Sequence, residues 1–379
     1  MEPTEVVRRI HATAPQLVYE FAGAGSLALW WLHSEGGSSR TILEATDRYS
    51  PPSMASLVGY LPERFTSAET AGAMARAAFD RARTLGAEHT PVLGVGLSAT
   101  IATDRAKRGE HRMELAVHDA FGTSSYSLTL TKGKRSREAE ESLISHLVLH
   151  AIASASGVLG VPLPQLLPGE ELTAALEPSE DVRAFVDAKS EWLLLQPDGG
   201  FSIEPPAGIA ILSGAFNPVH AGHWQLAQAA GELLGRPVVF EIPLRNADKE
   251  PFDMLEARRR AAQFLGRAPV LLSKASLFGD KAKLFPGAPF VVGVDTAQRI
   301  LESRFYGSEA ARDESLEGLR SLGNSFLVAG RLRNGVFRSL GDLEVPARHR
   351  DLFTELPAQR FRADISSTQV REGWMEGSA

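Results

Sequence analysis

Cysteine is absent from all 379 residues. That excludes disulfides, thiolate metal sites and cysteine nucleophiles. A basic excess is missing as well: 40 Lys and Arg stand against 46 Asp and Glu, a formal net charge of -6. A general nucleic-acid binder carries a basic footprint, so no nucleic-acid partner is expected. Long apolar runs are lacking, and Leu27-Ala28-Leu29-Trp30-Trp31-Leu32 is too short to cross a bilayer. Residues 1–9 have no signal-peptide pattern and bring Glu2 and Glu5 early. The expectation is a cytoplasmic protein with no membrane partner. What is present is bulk: 379 residues with 44% apolar content are enough for two cores.

The patterning divides the chain in three. Residues 1–160 read as an α/β domain. Residues 27–33 read as a buried helix segment or strand. Thr66-Ser67-Ala68-Glu69 reads as a capping box, with Glu69 reaching back to the cap. The helix behind it aligns Ala71, Met74, Ala75, Ala78, Phe79 and Ala82 and stops at Gly86. Residues 92–97, 113–118 and 124–131 read as strands, and 136–156 as a long helix. Gly23-x-Gly25 and Gly94-x-Gly96 are turns or packing points rather than dinucleotide fingerprints. His146 and His150 have zinc-pair spacing, but Leu147 stands where a metalloprotease carries Glu, so no metal site is expected. Residues 161–206, opened by Pro162, Pro164 and Pro168, read as a linker with a small ordered element around residues 192–200.

Residues 207–379 alternate strand and helix. Strands are expected at 209–212, 237–242, 270–273, 290–294 and 325–329, and helices at 221–234, 254–265, 296–303 and 367–374. Short connections between them predict a doubly wound parallel sheet, with ligands beyond the carboxyl ends of its strands. Gly214-Ala215-Phe216-Asn217-Pro218-Val219-His220-Ala221-Gly222-His223 lies at the first such junction. A strand, a Gly-containing turn and a helix N-terminus form a phosphate-binding arrangement. Gly214 permits a tight turn, Gly222 leaves room at the helix start, and His220 and His223 share one face of the first turn. Asp364-Ile365-Ser366-Ser367-Thr368-Gln369-Val370-Arg371 offers hydroxyls, amides and a guanidinium at a second helix start.

These paired segments resemble the nucleotidyltransferase superfamily that contains the nicotinamide and nicotinate mononucleotide adenylyltransferases, over about residues 207–375. The resemblance implies a Rossmann-like fold and adenylyl transfer from ATP, as Mg-ATP, to a phosphorylated acceptor with loss of pyrophosphate. It gives His220 and His223 the reacting phosphates, and Ser366, Ser367, Thr368 and Arg371, with Ile365 beside them, the β- and γ-phosphates. Gly214, Ala215, Phe216, Asn217 and Gly222 would line the nucleotide. Phe290-Val291-Val292-Gly293-Val294-Asp295 resembles the family's strand ending in Gly-x-Asp, placing Gly293 and Asp295 near the nucleotide. Lys249, within Asn246-Ala247-Asp248-Lys249, matches a basic residue near phosphates; Arg258, Arg259 and Arg260 rank below it, with one of them facing the site. Two departures bear on the pyridine pocket. The family's tryptophan after Gly-x-Asp is missing, with residues 297–300 in its place, and residues 302–323 form an insertion. The readings left open are a cytidylyl- or adenylyltransferase for another phosphorylated metabolite, and a non-catalytic nucleotide-sensing scaffold.

The N-terminal half resembles the C-terminal domain of CinA-type proteins, the nicotinamide mononucleotide amidohydrolases. The likeness lies in residues 20–25, in Gly36-Gly37-Ser38-Ser39, in Tyr49-Ser50, in the helix after Ser67 and in residues 94–99. Where that family has its nucleophilic serine, this chain has Phe21; where it has lysine, Met54; and its Thr-Gly-x-Ala-Gly becomes Val95-Gly96-Leu97-Ser98-Ala99. A benzyl group cannot attack an amide, so a domain without amidohydrolase activity is expected. The resemblance also implies a homo-oligomer formed through this half.

Overall fold

The computed structural model describes residues 1–103, 109–187, 189–202, 207–244, 253–333, 336–362, 367 and 370. Two sheets organise it. The first contains β1 (Gln16–Ala22), β2 (Ile42–Asp47), β3 (Val92–Thr100), β4 (His111–Asp119), β5 (Gly122–Leu130) and β6 (Leu172–Pro178), in the order β2-β1-β3-β4-β5-β6. Its first three strands are parallel and the rest antiparallel. The helix Ala68–Leu85 lies directly on β3. A Cβ at Gly94 would come within 2.1 Å of the Ala75 carbonyl oxygen, and one at Gly96 within 2.4 Å of the Ala71 oxygen. Those glycines are packing points. The cap of this helix is Ser67, whose Oγ accepts from the Thr70 amide at 3.2 Å. Thr66 is not the cap, because its hydroxyl pairs with Thr100 of β3 at 3.1 Å. Residues 27–33 fall within the helix Ser26–Ser34.

The second sheet contains β7 (Trp192–Leu195), β8 (Phe201–Ser202), β9 (Ala210–Ser213), β10 (Val238–Pro243), β11 (Val270–Ser273), β12 (Pro289–Gly293), β13 (Ser325–Ala329) and β16 (Phe353–Leu356). A small hairpin, β14 (Arg331–Arg333) with β15 (Val336–Arg338), stands apart from it. The order is β16-β13-β12-β9-β10-β11-β7-β8. From β16 to β11 every pairing is parallel. Chain order runs outward from β9 to β11, then returns to β12 on the other side of β9. This is the doubly wound arrangement, and its topological switch point lies between β9 and β12. The inner parallel strands β9 to β13 are buried on both faces, as their runs of Ile, Leu, Val and Phe require, while the edge strand β16 exposes Thr354 and Glu355. Residues 302–323 supply the second part of the crossover from β12 to β13: a 3₁₀ turn at Ser303–Phe305 and the helix Glu309–Ser321, whose Leu316 and Leu319 enter the core.

Residues 161–206, expected as a connection with a small ordered element, supply an edge to each sheet. β6 pairs with β5, and the β7–β8 hairpin adds antiparallel to β11. The halves also share a core. Phe121, in the β4–β5 turn, packs among the second sheet's residues and meets Phe201 edge-on at 5.0 Å. Among the described residues no helix is long and apolar enough to cross a membrane.

Candidate nucleotide site

β9 ends at Ser213, and the loop from Gly214 to His220 delivers the chain to the helix Ala221–Leu234. What lies beneath the loop is fixed by a buried polar cluster. Gly214 donates its amide to the Glu241 carbonyl at 2.9 Å. The ammonium of Lys281 lies 2.7 Å from both Ser213 Oγ and Glu241 Oε2, and Ser273 donates to Glu241 Oε1. A buried charge pair with its remaining lone pairs satisfied is a rigid support.

Phe216 organises the turn itself. Its ring is 2% exposed and packs edge-on against Phe240 at 5.4 Å, Phe264 at 5.5 Å and His223 at 5.0 Å. To reach that core it folds back over Gly214, where a Cβ would come within 2.8 Å of the ring. Its φ is +42°, a region costly for a bulky L-residue and typical of functional turns. Phe216 therefore faces the core and reaches the site through its backbone. Three side chains hold the loop's carbonyls. Arg260 Nη1 donates to Ala215 O at 3.2 Å, Gln263 Nε2 to Phe216 O at 2.8 Å, and Ser367 Oγ to Pro218 O at 2.9 Å. Gln263 Oε1 accepts from the Val219 amide at 2.9 Å. The Asn217–Pro218 peptide between these contacts is cis.

His220 and His223 stack, with ring centroids 3.8 Å apart. The His220 amide donates to His223 Nδ1 at 3.2 Å. An accepting Nδ1 leaves the proton of the neutral ring on Nε2, so His223 presents an N–H donor there. Burial, then His220, then Arg331 push the His223 pKa down to about 3. Burial and, after it, Arg331 also lower that of His220. Among the described residues His220 Nδ1 has no hydrogen-bond partner, although it is buried.

Across the switch point, β12 ends at Gly293, the cap of the helix Val294–Leu301, and Asp295 stands in its first turn. Asp295 Oδ2 lies 3.1 Å from Arg331 Nη1. Arg331 comes just after the end of β13 and is the cation that acts on both imidazoles. The structure therefore brings His220, His223, Gly214, Ala215, Asn217, Gly222, Gly293, Asp295 and Ser367 to the carboxyl ends of β9 and β12. Lys249, Ile365, Ser366, Thr368 and Arg371 lie outside the described residues, as do Asn246, Ala247 and Asp248. Of the arginine triplet, Arg260 faces the loop, Arg259 pairs with Glu256 at 2.6 Å, and Arg258 is fully buried against Asp119 of the other half. Sequence reasoning passed over Arg331 and Gln263. A signal existed for Arg331: Ala329-Gly330-Arg331 closes an apolar strand much as Gly293-Val294-Asp295 does. Gln263 carries no such signal.

In the N-terminal half, the imidazoles of His146 and His150 bond different carbonyls, those of Ser142 at 2.7 Å and Val161 at 3.1 Å. Glu141 occupies the start of the helix Ser26–Ser34. Its carboxylate accepts from the amides of Gly25 and Leu27, each at 2.9 Å, and from Ser26 Oγ at 3.2 Å. The anion position of that Gly turn is filled by the protein's own carboxylate.

No protein-family model matches the chain. A curated relative, the probable nicotinate-nucleotide adenylyltransferase of Bordetella pertussis (strain Tohama I), is 28% identical over 185 residues, covering 45% of this chain and 87% of that protein. Among solved structures, a competence/damage-inducible protein from Agrobacterium tumefaciens is 18% identical with a TM-score of 0.34, covering 40% of this chain and 94% of its own. A competence or damage-inducible protein from Enterobacter asburiae is 14% identical with a TM-score of 0.35, covering 41% and 98%. Over 45% of its length the chain is therefore similar to a nicotinate-nucleotide adenylyltransferase.

Proposed function

We propose that the C-terminal half transfers the adenylyl group of Mg-ATP to nicotinate or nicotinamide mononucleotide and releases pyrophosphate. The observation that carries this reading is the meeting of the stacked His220 and His223, Asp295 and Arg331 at the switch point of the second sheet. An oxygen of the acceptor's phosphate attacks the α-phosphorus. The bond to the bridging oxygen breaks, and its electron pair leaves with pyrophosphate. The attacking phosphate is already ionised near neutral pH, so neither a protein nucleophile nor a strong base is required. The protein's work is alignment and charge stabilisation. His223, neutral and donating from Nε2, and His220 beside it receive the reacting phosphates. Arg331 adds positive charge, and Asp295 both orients Arg331 and borders the nucleotide. Lys249, Ser366, Thr368 and Arg371 take the triphosphate in this reading. A magnesium ion bound with the triphosphate would offset its charge during the transfer and would need few ligands from the protein.

The N-terminal half, in the same reading, is not an amidohydrolase. Phe21 is buried and stacked on Tyr19 at 4.8 Å, and Met54 is 2% exposed. The nearby serines are engaged: Ser26 with Glu141, and Ser98 Oγ with the Phe65 carbonyl at 2.5 Å. A cytoplasmic homo-oligomer assembled through this half completes the proposal.

The test is pyrophosphate release by the purified full chain with Mg-ATP and nicotinate mononucleotide, nicotinamide mononucleotide or no acceptor, with Mg-CTP as a further arm. Release that needs one of these acceptors, with the matching dinucleotide formed, is expected. A chain that binds Mg-ATP yet turns over neither acceptor overturns it.

A further inference from the structure

We infer that Gln263 is a positioning residue for the nucleotide loop, and that the N-terminal half sets its place through Gly157. The inference rests on the adenylyltransferase reading of that loop. The amide of Gln263 bonds both sides of the loop's tip, donating to Phe216 O at 2.8 Å and accepting from the Val219 amide at 2.9 Å. Because one partner is a carbonyl and the other an N–H, the orientation of the side-chain amide is unambiguous. Nε2 also donates to Arg260 O at 3.0 Å, anchoring Gln263 to the turn that carries it. Arg260 meanwhile holds Ala215 O.

Peptide geometry then sets where the loop's amides point. In a trans peptide unit the N–H points opposite to the C=O. Fixing the carbonyls of Ala215 and Phe216 toward residues 260–263 turns the amides of Phe216 and Asn217 away from them. Each amide is thereby turned to the side opposite residues 260–263, on a backbone that Phe216, at φ +42°, does not adopt readily by itself.

The element that does the holding is backed by the other half. A Cβ at Gly157, which has φ +76°, would lie 2.5 Å from Gln263 N and 2.6 Å from the Ala262 carbonyl oxygen. The turn after the helix Arg137–Ala155 thus rests flush on the Ala262–Gln263 peptide. One turn earlier, on the helix Met254–Ala261, Arg258 is clasped by Asp119 Oδ2 at 2.9 and 2.6 Å. The N-terminal half acts as a backstop for the residues that shape the loop, and it needs no activity of its own to do so.

The experiment uses the full chain with Gln263→Met, which keeps the length and removes both loop bonds and the bond to Arg260 O, and Gln263→Glu, which keeps an acceptor for Val219 and loses the donor to Phe216 and Arg260. Gly157→Ala is made alongside. Three quantities are read: Mg-ATP affinity, kcat and KM for pyrophosphate release, and hydrogen exchange of amides in residues 214–223. Gln263→Met is expected to lower kcat/KM by about 10- to 100-fold, the scale of a small misplacement of reacting groups, and to speed exchange in the loop more than in the strands of either sheet. Gln263→Glu, whose second oxygen would face the Phe216 and Arg260 carbonyls, should fall at least as far. Gly157→Ala should move the same readouts in the same direction. Wild-type kinetics and exchange in Gln263→Met would overturn the inference. If the wild type turns over no acceptor, the adenylyltransferase reading fails separately, and affinity and exchange still decide the role of Gln263.

Discussion

His223 shows how one environment sets a residue's chemistry. It lies in the first turn of a helix, stacked on His220, near the Arg331 guanidinium, and largely buried. Burial first, then His220, then the Arg331 guanidinium disfavour the imidazolium and push its pKa down to about 3. A neutral ring suits a donor that must approach phosphate oxygens without binding them too tightly in the ground state. The cost appears as a pH dependence of stability. Between about 3 and the ordinary value near 6.5, the unfolded chain binds a proton at this position that the folded chain does not. The stability is complete above about pH 6.5 and is lost as pH falls toward 3. Unfolding midpoints at about pH 7.5 and about pH 5.5 should therefore differ, and the drop should shrink in His223→Gln. An equal drop in the variant would refute the assignment. Glu170, held down to about 2 by the Arg135 guanidinium, loses its contribution only as pH falls below about 4.5, outside that interval. For catalysis, His220→Ala with its fold intact should slow acceptor-dependent pyrophosphate release by ~100-fold or more, the usual scale for a lost electrostatic donor. Near-normal turnover would remove His220 from the mechanism.

Elements decide which residues meet, and here the chain was unevenly legible. The helix Ala221–Leu234 is where its pattern puts it, because a Gly-containing turn opens it and Gly235 in the left-handed region closes it. β11 and β13 coincide with their apolar runs, β9, β10 and β12 shift by one residue, and β16, with Thr354 and Glu355 exposed at the sheet edge, was not expected. The strand ends were readable where a motif marked them, as at Gly214 and at Gly293 to Asp295. Phe216 illustrates a limit: its place in the motif pointed to the nucleotide, while its ring belongs to an aromatic core assembled from β10 and the turn at Phe264. Gln263 illustrates another, since its role depends on which loop folds onto it. Arg331 arrives because β13 pairs with β12 and ends beside it. Replacing Arg331 with Gln should raise the KM for Mg-ATP by about 10-fold, the weight of roughly one charge-assisted hydrogen bond. Arg331→Lys should recover part of that, as a point charge without the planar fork. An unchanged KM in both variants would exclude Arg331 from the triphosphate.

At the scale of the whole molecule, the two halves are joined by more than chain continuity. Phe121 of the first sheet's turn is packed into the second sheet's core, and Asp119 beside it binds Arg258, which has no solvent exposure. Asp119 divides its carboxylate: Oδ1 accepts the Phe121 amide at 2.9 Å, and Oδ2 faces the guanidinium. Breaking such a pair costs more than its attraction contributes, because a buried guanidinium left alone has no water to replace its partner. Asp119→Ala should therefore cost about 3–5 kcal/mol, read from the urea midpoint of the full chain. Asp119→Asn should cost less, because its side-chain oxygen can still take the Phe121 amide. The double variant Asp119→Ala/Arg258→Met should regain most of the loss, since an apolar side chain needs no counter-charge there. If the single variant shifts stability by less than about 0.5 kcal/mol, the scale of an ordinary surface change, the pair is not what fastens the halves. If the double variant recovers stability, the charge pair itself is dispensable for fastening, and Phe121 with the shared apolar core carries the junction.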